Sequence, residues 1–227
     1  MKKAKERLDA EAAHPMTGKQ KAANFWFYYR WWIFIGLFAA MMAGIMIYDV
    51  VTKVDPDYNV AILSPSYFSP ETITELETTL QAQVEDRNGD GKIKVTVLHY
   101  QLGIGEDYPV DPNTQMAATT RYAGDMQMGD SIIFLSDHAV EYQKMNESFI
   151  YNDGTIPPEG GEPNVAELGV PMSDCAVFDE MLAKPRPEKL SEFRVLKRLP
   201  VIDKSKKQEK TAYYNDNLKL FDKLTAR

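Results

Sequence analysis

Oxygen-bearing side chains alternate in the stretch EDRNGDGKIKV, which begins at residue 85. Asp86, Asn88 and Asp90 occupy positions one, three and five, and Gly91 follows them, as in the first half of a calcium-binding loop. Position twelve of such a loop holds a bidentate carboxylate, but Val97 stands there. Two interpretations stay open: a weakly bound structural calcium ion, with no other cofactor, or a turn in which Asn-Gly and Asp-Gly end a helix.

A second group of candidates consists of polar and aromatic side chains that follow three apolar stretches. The group comprises Ser64, Ser66, Tyr67 and Phe68 after the first stretch, Tyr100 and Gln101 after the second, and Ser136, Asp137 and His138 after the third. Ligands of open α/β sheets bind beyond the carboxyl ends of the strands, so we predict that these residues form a ligand-binding surface. Tyr67 and Phe68 suit stacking on a sugar or a peptide, or else stapling of the following helix. Asp137 and His138 form either a functional pair or a helix cap followed by a surface histidine.

Motifs that carry catalysis are missing from the sequence, which contains no P-loop and no G-x-S-x-G, S-x-x-K or H-E-x-x-H string. His14, His99 and His138 are far apart along the chain, and Cys175 is the single cysteine. This pattern does not support a zinc site or a Cys–His nucleophile. We therefore predict that the protein is not an enzyme. The alternative is a hydrolase or transferase whose site the sequence does not display.

The segments around the candidates alternate between strand and helix patterns. The predicted strands cover residues 58–64, 92–100, 131–137 and 193–201, and the predicted helices begin near Ser69, Asp111 and residue 206. Residues 151–187 are rich in glycine, proline and glutamate, which predicts mostly loop. The order favours one three-layer α/β lobe with a mostly parallel sheet of 3–5 strands and a C-terminal helix.

An apolar segment near the N-terminus predicts a single transmembrane helix. From Trp31 to Tyr48 it contains 18 residues without a charge, which span roughly 27 Å as a helix. No A-x-A cleavage site follows this segment, so we favour an uncleaved anchor over a signal peptide. The predicted organisation is a cytoplasmic basic tail over residues 1–24, a transmembrane helix over 25–50, a linker over 51–57 and an extracytoplasmic α/β domain over 58–227.

Charge is divided unequally along the chain. Residues 1–53 contain eight Lys and Arg against four Asp and Glu, whereas residues 54–227 contain 18 against 29. The positive-inside rule therefore predicts a cytoplasmic N-terminus and a C-terminal domain outside the cell membrane. An acidic domain of this kind repels nucleic acid, so we expect no nucleic-acid partner.

The span from Tyr58 to Asp137 resembles the first lobe of extracellular solute-binding proteins of the transporter-associated type. The strings YNVAILS, GKIKVTVLHY and MAATTRYAGDMQMGDSIIFLSD carry this resemblance, which covers about a third of the chain. It implies the fold of one lobe and a transporter component as a partner, but it implies no particular ligand. The chain also resembles uncharacterised membrane-anchored proteins of Gram-positive anaerobes.

These patterns together predict a single-pass membrane protein whose extracytoplasmic domain binds a partner protein or a small solute. An alternative is a membrane assembly subunit that acts through its transmembrane helix. Gly36, Ala40 and Gly44 recur there at four-residue spacing, which lets a second helix approach closely. Ordinary lipid-facing small residues are an equally simple explanation of that spacing.

Overall fold

The computed structural model describes residues 17–52, 54–200 and 207–226. The chain forms two compact units, Met1–Lys53 and Val54–Arg227. The first unit contains helix α1 (Gly18–Thr52). The second is an α/β domain with five further α-helices and six strands among the described residues.

Helix α1 is long and apolar. Thr17 caps its first turn, because the backbone N–H and the hydroxyl of Thr17 both donate to Gln20 Oε1, at 3.0 and 3.2 Å. The 35 residues of α1 span about 52 Å, more than the hydrocarbon core of a bilayer. Among the described residues, α1 alone is long and apolar enough to cross a membrane, and its most apolar part is not buried. A membrane anchor and a signal sequence both fit this description.

The elements of the domain follow the predicted alternation of strands and helices as far as the third strand. The strands are β1 (Tyr58–Ser64), β2 (Val95–Gln101), β3 (Ser131–Ser136), β4 (Phe149–Ile150), β5 (Val170–Pro171) and β6 (Arg194–Arg198). The helices are α2 (Pro70–Gln81), α3 (Pro112–Met128), α4 (Ala139–Asn146), α5 (Asp179–Leu182) and α6 (Lys207–Leu224). Single turns of 3₁₀ helix cover Met172–Asp174, Ala176–Phe178 and Leu190–Glu192, and two of them lie in the segment predicted to be mostly loop.

The sheet is parallel at one side and antiparallel at the other. Its strand order is β2-β1-β3-β6-β4, and β5 also pairs with β6. β1 pairs in parallel with β2 and β3, whereas β6 runs antiparallel to β3, β4 and β5. The predicted α/β class is confirmed, but the sheet is mixed and has six strands rather than 3–5. Strand β4 precedes β6 in the sequence, but β6 lies between β3 and β4 in the sheet and is antiparallel to both.

Helices cover both faces of the sheet and give the domain three layers. Helices α2 and α6 pack against one face, in a core that includes Leu76 and Phe221. Helices α3 and α4 pack against the other face, in a core that includes Tyr122 and Tyr142. Successive residues of β3 contribute alternately to the two cores, as the two-residue period of a strand requires.

Three basic residues of β6 hold backbone carbonyl groups rather than carboxylates. Arg194 donates from Nε to the carbonyl of Leu168 and from Nη2 to that of Gly169, both at 2.8 Å. Lys197 donates from Nζ to the carbonyl of Asn152 at 2.7 Å. These bonds fasten the irregular segment between β4 and β5 to the outer side of β6.

Arg198 fastens the other side of β6. Its guanidinium donates to the carbonyls of Asp125 and Ser131, at 3.3 Å each, and to that of Met126 at 2.8 Å. The Asp125 carboxylate is 4.0 Å away. Burial lowers the pKa of Arg198, and the nearby Asp125 opposes that shift. The hydrogen bonds to Asp125 and Met126 place the guanidinium at the C-terminal end of α3, where the helix dipole favours positive charge.

Replacement of Arg198 by alanine should lower the free energy of unfolding by about 3 kcal/mol, because buried carbonyls lose their donors. The matched control is Arg121→Ala, an exposed arginine of α3, which should change stability by less than about 0.5 kcal/mol. Denaturant unfolding followed by circular dichroism measures both. Equal stability of the two variants would contradict the structural role of Arg198.

Candidate functional site at the strand ends

The carboxyl ends of β1, β2 and β3 lie at one edge of the sheet, because these strands are parallel. The chain passes from β1 to β2 on one side of β1 and returns to β3 on the other side. Open α/β sheets bind their ligands in the crevice at such a switch point. Residues 65–69, 102–111 and 137–138 form the three loops that follow these strands. These loops and the last residues of the three strands are called the strand-end site below.

A hydrogen bond crosses the switch point. Ser64, at the end of β1, donates its hydroxyl to Asp137 Oδ2 at 2.8 Å. The other oxygen of that carboxylate, Oδ1, lies 2.9 Å from His138 Nδ1. These two atoms are buried but not aligned for a hydrogen bond, and neither has another hydrogen-bond partner among the described residues. The side chains of Asp137 and His138 are 10% and 17% exposed, so the pair lies just beneath the surface.

Backbone groups complete this network. The N–H of Ser66 donates to Ser64 Oγ at 3.1 Å, and the N–H of His138 donates to Ser136 Oγ at 3.2 Å. Helix α4 begins after His138, but no side chain caps it. His138 is the N-cap residue but makes no side-chain cap hydrogen bond, so the structure does not support the helix-cap interpretation, and a functional role of the Asp137–His138 pair stays a prediction. The structure brings the predicted serines, Asp137 and His138 together, and their contact with a ligand stays a prediction.

Phe68 and Tyr100 correct the prediction of the site, because both are core residues. Phe68 is 3% exposed, and its ring packs edge-on to Phe193 with centroids 5.5 Å apart. It shares one core with Ile73 of α2, as the stapling interpretation predicts. Tyr100 is 2% exposed and donates its hydroxyl to Asp125 Oδ2 at 2.7 Å. Burial and this hydrogen bond raise the pKa of Tyr100.

Two tyrosines form the exposed aromatic surface of the strand-end site. Tyr67 is 68% exposed and Tyr108 is 46% exposed. The ring of Tyr108 stands edge-on to His138, with centroids 4.2 Å apart. Sequence reasoning missed Tyr108, which a tight hairpin places here through backbone hydrogen bonds between Ile104 and Tyr108. The available signal was Gly103, where an added Cβ would lie 2.7 Å from the Tyr108 carbonyl oxygen.

Two further side chains of β2 border the site. Gln101 donates its side-chain amide to the carbonyl of Pro65 at 3.0 Å, which joins the loops after β1 and β2. His99 packs against Phe68 with ring centroids 5.1 Å apart. Burial lowers the pKa of His99, so its ring is neutral at neutral pH. Neither side chain brings positive charge to the site.

A carboxylate of the protein occupies the N-terminus of α2. Open α/β proteins often bind an anionic ligand at such a helix end. Here Glu188 Oε1 accepts the backbone N–H of Ser69, the N-cap residue, at 2.9 Å. Burial raises the pKa of Glu188, but hydrogen bonds from Ser69, from its own backbone and from Thr72 together outweigh that effect, and the net shift is downward. Sequence reasoning missed Glu188 because 119 residues separate the two partners.

The loop with alternating oxygens is a turn stabilised by its own side chains. Asp86 accepts the N–H of Gly89 at 2.7 Å and that of Gly91 at 2.8 Å. Asn88 and Asp90 each accept the N–H two residues further on, at 2.9 and 2.8 Å. Both glycines have positive φ, as the turn interpretation requires. In the described part of the chain, no three His, Cys, Asp or Glu side chains are placed to hold a metal ion. Binding of calcium by this loop stays a prediction.

Asp57 fixes this loop to the amino-terminal end of the sheet. It is fully buried, although the predicted linker includes it. Its Oδ1 accepts the N–H groups of Arg87 and Asn88 at 2.8 and 3.0 Å, and its Oδ2 accepts that of Lys94 at 2.9 Å. A charged acceptor with three donors makes strong hydrogen bonds. Sequence reasoning missed it because its partners lie 30 or more residues away.

No family model, characterised protein or solved structure matches this chain. The resemblance of the span from Tyr58 to Asp137 to a solute-binding lobe therefore stays a prediction.

Asp57→Ala should lower the free energy of unfolding by about 3 kcal/mol, because three backbone donors lose a charged acceptor. The comparison is Asp90→Ala, which removes one exposed side-chain acceptor in the same loop and should change stability by less than about 1 kcal/mol. Both variants are measured by denaturant unfolding in the presence of EDTA, which removes calcium. A larger loss for Asp90→Ala than for Asp57→Ala would contradict the assignment of Asp57.

Proposed function

We propose that this chain is a single-pass membrane protein whose acidic domain lies outside the cell and binds a solute or a partner protein. Helix α1 is the anchor in this proposal, with the basic N-terminus in the cytoplasm. The strand-end site is the binding surface, and the domain has no catalytic role. A transporter component is one candidate for the partner.

The hydrogen bond from Ser64 to Asp137 is the observation that carries the binding role. It joins the ends of β1 and β3 at the switch point, where open α/β sheets bind ligands. The hydrogen bonds of the network order the loops before any ligand arrives, which lowers the entropy cost of binding. The exposed tyrosines next to this network add the aromatic surface that recognition sites favour.

The state of the nucleophilic side chains favours binding over catalysis. Ser64 is fully buried, and its hydroxyl donates directly to a carboxylate rather than to a histidine. Cys175 is fully buried, and burial raises the pKa of its thiol to about 11. A thiol with that pKa is protonated at neutral pH and is a poor nucleophile. Neither residue is therefore suited to covalent catalysis.

The length and apolar character of α1 support the membrane anchor. The excess of Lys and Arg before the apolar segment supports the orientation. An acidic domain is also repelled by an anionic membrane surface, so it should stand away from the bilayer.

Protease added to intact, wall-stripped cells should degrade the domain and leave a small N-terminal fragment in the membrane. The reason is that the proposed orientation exposes residues 54–227 to the medium. Immunoblotting with a tag at the N-terminus detects the fragment, and a cytoplasmic protein serves as the control for cell integrity. Survival of the domain until the cells are lysed would contradict the orientation and the extracytoplasmic binding role.

A further inference from the structure

A cavity of about 240 Å³ lies between the end of α4 and the proline- and glycine-rich segment 157–163. Two side-chain contacts hold this segment against the helix. Lys144 donates from Nζ to Glu162 Oε1 at 2.6 Å, and Glu147 Oε1 accepts the backbone N–H of Gly160 at 3.0 Å. None of the described residues that line the cavity belongs to the strand-end site. An inference about this cavity is therefore independent of the binding role proposed above.

Gln143 brings a hydrogen-bond donor to the cavity wall. The residue is 5% exposed, and its Oε1 accepts the backbone N–H of Phe149 at 2.8 Å. That hydrogen bond fixes the orientation of the amide, because only the oxygen can accept it. The amide nitrogen has no hydrogen-bond partner among the described residues, and it retains solvent-accessible surface. A ligand oxygen in the cavity can therefore accept a hydrogen bond from an otherwise buried side chain.

The other walls supply acceptors and apolar surface. Glu147 and Glu162 are exposed at the rim, and each uses one carboxylate oxygen, Oε1, in its contact with the protein. Pro157 and Pro163 are buried and line the interior with apolar rings. A hydroxyl group both accepts and donates, so it matches an amide donor on one side and a carboxylate on the other.

We propose that this cavity binds a neutral hydroxylated ligand, either a sugar residue or a polyol. At about 30 Å³ per water in the liquid, the cavity volume corresponds to about eight waters, which is enough for one sugar ring. The C–H groups of such a ring suit the proline surface. Two carboxylates at the rim disfavour an anion, and an ammonium group offers no acceptor to the Gln143 amide. A free sugar and one residue of a surface polysaccharide share this chemistry.

Glu147 is placed at the rim in a backbone conformation that glycine favours. Its φ is 48°, and it is the only non-glycine residue with positive φ in the described part of the chain. It ends α4 as the C-cap residue, where glycine is the residue of lowest cost. Replacement by glycine therefore removes the carboxylate without loss of stability, which separates a role in binding from a role in folding.

The test uses the full chain in micelles of a detergent without a sugar head group, and it follows the side-chain amide of Gln143 by ¹H–¹⁵N NMR. The probes are D-glucose, D-galactose and N-acetyl-D-glucosamine, with maltotriose to represent a polysaccharide. At least one of the sugars should shift the amide signal saturably, with a dissociation constant of about 1 mM. Tighter binding of maltotriose than of glucose would assign the site to a polysaccharide, and the reverse order would assign it to a free sugar. Cyclohexanol and D-gluconate, an apolar and an anionic counterpart, should shift the signal little.

Three variants, followed through the Gly160 backbone amide, locate the site. Gln143→Glu keeps an acceptor for the Phe149 N–H but loses the amide donor, so it should weaken sugar binding at least about tenfold. Glu147→Gly should weaken binding about fivefold, with an unfolding midpoint that is unchanged or raised. The control is Glu141→Gln, an exposed acid of α4 outside the cavity, which should change affinity by less than about twofold.

Absence of a saturable shift with all of the sugars would overturn the proposal. Equal shifts with cyclohexanol or D-gluconate would overturn recognition of a neutral hydroxylated ligand. Sugar affinity that is unchanged in both Gln143→Glu and Glu147→Gly would show that the sugar binds elsewhere, which would overturn the assignment of this cavity.

Discussion

The domain depends on three cations of β6 that donate to backbone carbonyls. Taking Arg198 out of water costs several kcal/mol unless hydrogen bonds replace its hydration. The carbonyls at the end of α3 and at Ser131 supply those bonds. Arg194 and Lys197 do the same for the segment between β4 and β5. This strand is therefore fixed on both sides, and β3, which lies between β1 and β6, is fixed with it.

Each end of the sheet contains a buried carboxylate, and the two carboxylates differ in their hydrogen bonds. At the amino-terminal end, the carboxylate of Asp57 is satisfied by three backbone donors, and the loop around it is closed by its own side chains. At the carboxyl-terminal end, Asp137 keeps one oxygen without an aligned donor. Ser131 Oγ, at the amino-terminal end of β3, is likewise buried without a hydrogen-bond partner among the described residues, so the end that contacts other molecules stays a prediction.

Local signals in the sequence predicted the local elements. The strand Tyr58–Ser64 and the helix start at Ser69-Pro70 agree with the structure, since apolar runs and capping residues act within a few positions. The network of serines with Asp137 and His138 followed from a general rule about parallel strands. The antiparallel direction of β6 was not predictable in this way, because it depends on the short strands β4 and β5. Two residues are too few to show a periodic pattern.

Long-range contacts and side-chain direction account for the remaining differences. Glu188 and Asp57 accept hydrogen bonds from backbone N–H groups that are far away in the sequence, and no local sequence pattern marks these two residues. Phe68 and Tyr100 were assigned to the site because each lies at or beyond the end of a strand. Their side chains instead enter the two cores on opposite faces of the sheet. A position at a strand end thus places a residue near the site, but the direction of its side chain relative to the sheet decides whether a ligand can reach it.

Under the proposed function, other molecules contact the carboxyl end of the sheet and not the amino end. Single cysteines at Tyr67 and at Ile93, which are 68% and 47% exposed at the two ends, can each carry a polarity-sensitive fluorophore. The natural Cys175 does not interfere, because it is buried and its thiol pKa is raised to about 11. Spent culture medium or surface extract of the host should change the emission from position 67 and leave the emission from position 93 unchanged. A change at position 93 alone, or equal changes at both, would contradict it.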